Sequence, residues 1–392
     1  MGLKLKHIRH PFHTANVARD LVARQWAMWR FSARGKRHFA RDPRFFLQSI
    51  TDGFAPRSQD PSADGQLLER ICDSYIKAVQ HEKHAPAIYT ASPWWEQQRK
   101  LRLRPVIEAL ATHDIAALGR MYCNFYRDPC SAGLIVSEAS AREYFGRKTS
   151  VFQRRLYLID TLYRLDFWKQ ATSRRFGIRD LEGPSIGNPF GVVVEGALVR
   201  AGAEYQHYCA HRIIDLLDSD TATVVEIGGG FGGMAYYLLR DAPGTTYINF
   251  DIPESIALAS YYLLKAFPHL NFLLYGERPL TAEALAEADA VLMPAALLNT
   301  IPSRCADLTF SSHAMSDLSG DAIVGYLSDV ARVTDKYFVC IGDGGAAKVM
   351  SDILERQFPS LRLPETPRSG WHDHRYRHIG AVECIYAASG VK

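Results

Sequence analysis

The stretch Val224-Val-Glu-Ile-Gly-Gly-Gly-Phe-Gly-Gly-Met-Ala-Tyr-Tyr-Leu-Leu239 restricts the fold more than any other part of the chain. Residues 223–227 form a short apolar, β-branched run, as expected of an interior strand in a parallel sheet. Five glycines at 228, 229, 230, 232 and 233 let the backbone turn sharply and let a ligand approach without Cβ obstruction. Residues 234–240 resume a helical pattern, so free N–H groups and the positive end of the helix dipole face whatever lies over the turn. A second apolar run, Thr246-Tyr-Ile-Asn-Phe250, ends in Asp251, nineteen positions beyond Gly232. An acid at that distance, on the tip of the second strand, is placed to accept hydrogen bonds from two ribose hydroxyls. The segment reads as a nucleoside-binding βαβ unit.

The glycines satisfy two fingerprints at once. Gly228-x-Gly230-x-x-Gly233 fits the dinucleotide pattern, and Glu226-x-Gly228-x-Gly230-x-Gly232 fits the turn of S-adenosylmethionine-dependent methyltransferases. Glu226 favours the second, because a carboxylate at the strand end can accept from a ligand ammonium but would repel a pyrophosphate. The glycine turn together with Phe250-Asp-Ile-Pro-Glu254 resembles the signature of class I small-molecule O-methyltransferases. That resemblance implies a cofactor site across Glu226, Gly228, Gly230, Phe231 and Gly232, with Asp251 and Ile252 at the ribose. A nicotinamide-dependent oxidoreductase stays as the alternative from another enzyme class. A methyltransferase fold that only binds a partner is the non-enzymatic alternative.

A second constellation follows a later strand pattern. Residues 305–311 alternate, and Ser312-His-Ala-Met-Ser-Asp317 comes next, which places His313 just beyond a strand tip. Reacting groups in open α/β sheets gather beyond the carboxyl ends of strands. A neutral imidazole there can take the proton of a hydroxyl as a methyl group arrives. The segment resembles the motif that carries the general-base histidine in plant-type O-methyltransferases. His313 matches the base, and Ser316 and Asp317 match the last two positions. Ala314 and Met315 depart from that family's Asp-Trp. The competing role for His313 is to cap the helix that follows, for which Ser316 or Asp317 also serves.

Residues 185–345 as a whole resemble the sugar O-methyltransferase family, through Gly187-Asn-Pro-Phe-Gly191, the helix over 201–217, the glycine turn, Asp251-Ile-Pro and the segment around His313. The resemblance implies an α/β fold: a Rossmann-like, doubly wound, seven-stranded sheet over residues 191–392. It also implies a sugar acceptor, on a polysaccharide or glycoconjugate precursor, with His313 and Asp317 as the catalytic pair. Residues 56–190 read as a helical domain that covers the pocket, selects the acceptor or forms a homodimer. Within it, residues 66–79, 105–122 and 150–167 keep helical spacing.

Composition agrees with a globular enzyme: 47% of the 392 residues are hydrophobic and 22% charged. The first ten residues have no apolar core of a secretory signal, and seven scattered cysteines without a Cys-x-x-Cys pair suit reduced thiols, so a cytoplasmic setting is expected. Residues 1–55 hold 11 Lys or Arg against 3 Asp, interleaved with Trp26, Trp29, Phe31, Phe39, Phe45 and Phe46. The favoured reading is a helical arm whose aromatics dock on the body. Peripheral contact with an anionic glycan or lipid comes second, and nucleic acid is not expected, given a pI of about 8.6 and no recognised module. His207 and His211 at i, i+4, with Glu204 a turn earlier, read as structural rather than as metal ligands. A divalent metal could draw on Asp317, Asp343 or the histidines of residues 371–378, but no set has a diagnostic spacing and none is assigned.

Overall fold

The computed structural model describes residues 11–57, 59–135, 150–217, 219, 221–363, 367–369 and 381–390. The N-terminal half is helical: α1 (Pro11–His38), α2 (Gln48–Gly53), α3 (Gly65–Glu82), α4 (Pro93–Leu101), α5 (Arg104–Ala111), α6 (Ile115–Tyr122) and α7 (Val151–Ala171). Ser150 starts α7 with a capping box, its hydroxyl accepting from the Gln153 N–H while Gln153 reaches back to the Ser150 N–H. The single helix expected over 105–122 is instead two. His113 takes φ +53°, and the Asp114 carboxylate accepts from the Ala117 N–H at 2.9 Å, which restarts the chain as α6.

Helix α1 lies along α7. Phe31 and Phe39 are buried there beside Tyr163, with ring centroids 5.9 and 4.9 Å from it. The docked-arm expectation fits these two rings. It fails for Trp26, Trp29 and Phe46, which lie on the surface.

A hairpin absent from the sequence reading, β1 (Gly191–Val194) and β2 (Ala197–Arg200), turns at Glu195 and Gly196, with φ +52° and +80°. Then follow α8 (Ala203–Leu217), β3 (Ala222–Ile227), α9 (Gly233–Asp241), β4 (Thr245–Asp251), α10 (Pro253–Ala266), β5 (Phe272–Leu274), α11 (Ala282–Glu287) and β6 (Ala290–Pro294). The chain continues through β7 (Ala306–Ser312), α12 (Gly320–Val333), β8 (Thr334–Gly342), α13 (Gly344–Gln357), β9 (Leu361–Arg362), β10 (Arg368–Ser369) and β11 (Val382–Ala388).

The large sheet runs β10-β11-β8-β7-β3-β4-β6-β5, with β9 also on β11. Strands β5 to β8, β3 and β4 are parallel, and β11 is antiparallel to β8. This is the expected doubly wound α/β sheet. Seven of its strands have three residues or more, and β9 and β10 add two short pieces at the edge. Strands β5 and β6, neither of which the sequence pattern placed, extend the sheet beyond β4, with β6 between β4 and β5. The strand order reverses between β3 and β7, and at such a switch point a crevice opens beyond the carboxyl ends of the strands.

Candidate functional site

The glycine turn sits in that crevice. Gly228, Gly230 and Gly232 take φ of +77°, +58° and +85°, a region costly to residues with a Cβ. The turn is pinned by its own N–H groups: Gly228 donates to the Phe250 carbonyl at 2.8 Å, Gly229 to Asn249 Oδ1 at 3.1 Å and Gly230 to Asp251 Oδ2 at 2.9 Å. A Cβ on Gly228 would lie 2.1 Å from that of Ala314. Ala314 therefore abuts the turn, which accounts for a small residue there, and Met315 fills a buried core position.

Glu226, Gly228, Gly229, Gly230, Asp251, Ile252 and His313 line one cavity of about 390 Å³. Its other walls include Trp94, Trp95, Gly133 and Leu134 from the helical half, and Tyr205 and Tyr326 from the sheet domain. Phe231 borders the cavity while its ring packs among Phe125, Tyr126 and Tyr262. Gly232 does not line it. A Cβ on Gly232 would meet Leu263 at 2.9 Å, so this glycine serves the close packing of α9 on α10.

The electrostatics of the floor are unusual for carboxyl groups. Glu226 is buried, with the Tyr247 hydroxyl donating to it at 2.5 Å. Burial pushes its pKa up to about 8 against the opposing Tyr247 hydrogen bond, and the nearby Asp251 charge adds to the rise. Asp251 is pushed up to about 7, again by burial, although the N–H groups of Ile252 and Gly230 favour its charged form. The partners of both are neutral groups, so a cation arriving in the cavity would satisfy them. Behind the wall, buried Arg200 donates to the Tyr126 hydroxyl at 2.9 Å and to Gln206 Oε1 at 2.5 Å, and Gln206 in turn faces the cavity.

His313 has φ +62°, and its N–H donates to the Ile341 carbonyl at 2.7 Å. Its exposed ring stands 6.1 Å from that of Tyr205, whose hydroxyl is 2.7 Å from the Ser312 hydroxyl. The side chain makes no capping hydrogen bond. The cap of α12 is Ser319, whose hydroxyl accepts from the Ala322 N–H at 3.3 Å, rather than Ser316 or Asp317. Asp317 ends a short 3-10 turn, Ala314–Asp317, and its side chain lies outside the described residues, as do residues 371–378. Asp343 caps α13 through the Gly345 N–H at 2.8 Å and does not line the cavity.

His207 and His211 do share a helix face, but their third neighbour is Asp241, with ligand atoms within 4.8 Å of one another. Glu204 faces Arg164 instead, at 3.6 Å. Trp168 Nε1–H donates to His207 Nδ1 at 3.3 Å, which puts the imidazole proton on Nε2 and removes the lone pair a metal would need there. Burial lowers the His207 pKa to about 3, so the ring is a neutral core group.

Trp94, Trp95, Leu134 and Tyr205 were not singled out from sequence. The tryptophan pair after Ser92-Pro93 was a visible aromatic cluster at a helix start, but nothing local tied it to a turn 130 residues on. Gly133 and Leu134 do so together: at Gly133, φ +93°, a Cβ would lie within 2.9 Å of both indoles, and a Cβ on Gly230 of the turn would lie 3.5 Å from Leu134 Cδ2.

The sheet order and the glycine turn define a Rossmann-like, doubly wound α/β domain. Residues 194–324 match the family model described as an O-methyltransferase domain. No curated protein matches the sequence. Similar solved structures include the mitomycin 7-O-methyltransferase MmcR, 19% identical over 48% of this chain and 56% of that one, with a TM-score of 0.32. The pyocyanin biosynthetic protein PhzM is 17% identical over 48% of this chain and 56% of that one, TM-score 0.32. A TehB-like SAM-dependent methyltransferase from Corynebacterium glutamicum is 16% identical over 58% and 100%, TM-score 0.34. The chain thus spans little more than half the length of the first two, and likenesses this distant carry no argument about activity.

Proposed function

We propose that the chain is an S-adenosylmethionine-dependent O-methyltransferase acting on a sugar hydroxyl, with His313 as the general base. The observation that carries the reading is that Glu226, the glycine turn, Asp251 and His313 line one cavity. The residues fit the cofactor. Among the described residues no cation pairs with buried Glu226, a role a ligand ammonium would fill, the Gly228–Gly230 backbone leaves room for close approach, and Asp251 keeps lone pairs for ribose hydroxyls. When bound, the cofactor supplies a methyl group already activated on a sulfonium. The chain's work is then positioning. The indoles of Trp94 and Trp95, at a centroid distance of 4.9 Å and 85° to each other, offer apolar faces to the ring C–H groups of a sugar. His313 accepts the hydroxyl proton. The sugar class rests on the sequence resemblance over residues 185–345.

Titration calorimetry with S-adenosylmethionine, S-adenosylhomocysteine and NADH tests the cofactor: tight binding of NADH alone would overturn the reading. His313→Ala should lower kcat by roughly 10²–10⁴ with cofactor affinity and melting temperature nearly unchanged. A fully active His313→Ala protein rejects the base assignment. Transfer to phenols but to no sugar rejects the acceptor class.

A further inference from the structure

Helix α1 carries an apolar stripe that nothing among the described residues covers. Val22, Trp26 and Trp29 recur at i, i+4 and i+7 and so share one face, and they are 68%, 59% and 63% exposed. On the opposite side of the helix Phe31 is buried near Tyr163, and Gly35 is pressed against Ile159. One face of the helix is therefore fixed to the body while the other is presented outward. An aromatic stripe held in place this way cannot fold back to hide itself.

Cations flank the stripe. Arg19 and Arg30 are exposed beside it, with the Arg30 guanidinium 4.4 Å from the Trp26 ring centroid, and Lys36 and Arg37 are exposed further along. Residues 1–55 hold 11 Lys or Arg against 3 Asp, while the whole chain carries only +4. Tryptophan favours the boundary between headgroups and acyl chains, and flanking arginines meet lipid phosphates there.

We infer that this face of α1 docks on an anionic lipid bilayer, with Val22, Trp26 and Trp29 at the headgroup boundary and the arginines on phosphate. Charge complementarity selects the occupant. A second copy would bring the same positive excess against itself, and a soluble polyanion has no use for three adjacent exposed apolar side chains. No described helix is long and apolar enough to cross a membrane, so the helix lies on the surface rather than through it. The inference is independent of the methyl-transfer reading.

The test is co-sedimentation of the full chain with vesicles of phosphatidylcholine alone and with phosphatidylglycerol added. Binding is expected to the anionic vesicles only, with a blue shift of tryptophan emission and weakening as NaCl rises. Trp26→Ala with Trp29→Ala should weaken partition about tenfold or more, with circular dichroism and melting unchanged because both residues are exposed. Quenching of parent emission by brominated lipid tests insertion without any variant. The proposal is overturned if the parent ignores anionic vesicles at low salt, or if the double variant binds them as tightly as the parent. It is also overturned if dextran sulfate binds equally to both proteins and competes off all vesicle binding, or if the stripe instead holds a dimer that the double variant dissociates.

Discussion

Glu226 and Asp251 are carboxyls in a place that disfavours their charge, with pKa values pushed up to about 8 and about 7. A raised carboxyl pKa stabilises the folded chain below the ordinary carboxylate range, near 4, and that contribution is lost as pH rises through 7 and 8. A ligand ammonium reverses the balance, since it favours the ionised form of Glu226. Cofactor binding at pH 7 should therefore release protons, and affinity should rise between pH 6 and the point at which the ligand's own amino group begins to titrate. Calorimetry in buffers of different ionisation enthalpy measures the release, and buffer-independent heats would reject it. Glu226→Gln should reduce the release, raise the melting temperature of the ligand-free protein at pH 8 and weaken binding. Asp251→Ala should cost about 1.5–3 kcal/mol of cofactor affinity through lost charge-assisted hydrogen bonds.

The unit of strand β3, turn and helix α9 uses its glycines for two different tasks. Gly228→Ala would drive a methyl group into Ala314 and the segment bearing His313, whereas Gly232→Ala would drive one into Leu263 on α10. Both also strain a positive φ, at about 1–2 kcal/mol. The first should lose cofactor affinity along with stability, and the second should lose mainly stability. Comparing Kd with the urea midpoint for each variant separates them, and equal affinity loss would merge the two roles. Ser319→Ala should cost about 1 kcal/mol in the same denaturation assay and leave the rate per folded molecule alone. The unit was legible because strand, turn and helix periodicities are local and fall in register. The break at Asp114 and the pair β5 and β6, with β6 next to β4, were not. A side-chain cap can override a continuous apolar pattern, and strand order depends on partners distant in sequence. The Trp94 and Trp95 wall stayed hidden for the same reason, since only its approach to Gly133 and the turn gives it meaning.

Across the whole molecule, a single cluster of buried side chains runs from Phe31 on α1, through α3 and α7, to the face of the sheet at Ile341. The arm, helical and sheet regions visible as changes of composition thus share buried side chains that composition could not reveal. Removing residues 1–55 should give an insoluble product, because Phe31, Phe39 and Ile50 leave that cluster. Phe31→Ala alone should cost about 3–5 kcal/mol in chemical denaturation, while Trp26→Ala on the opposite face should change stability little. A soluble, fully active truncation would show the arm to be an appendage.

Strand β11 also bears on how the chain is made. It pairs with β8 along six residues, and its buried Glu383 accepts from the Tyr208 hydroxyl and from Arg212 on α8. During synthesis the parallel strands that carry the glycine turn emerge long before β11, so one flank of β8 stays unpaired until residue 388 has left the ribosome. A nascent chain stalled between β8 and β11 would present an open strand edge, the form of intermediate that chaperones shield.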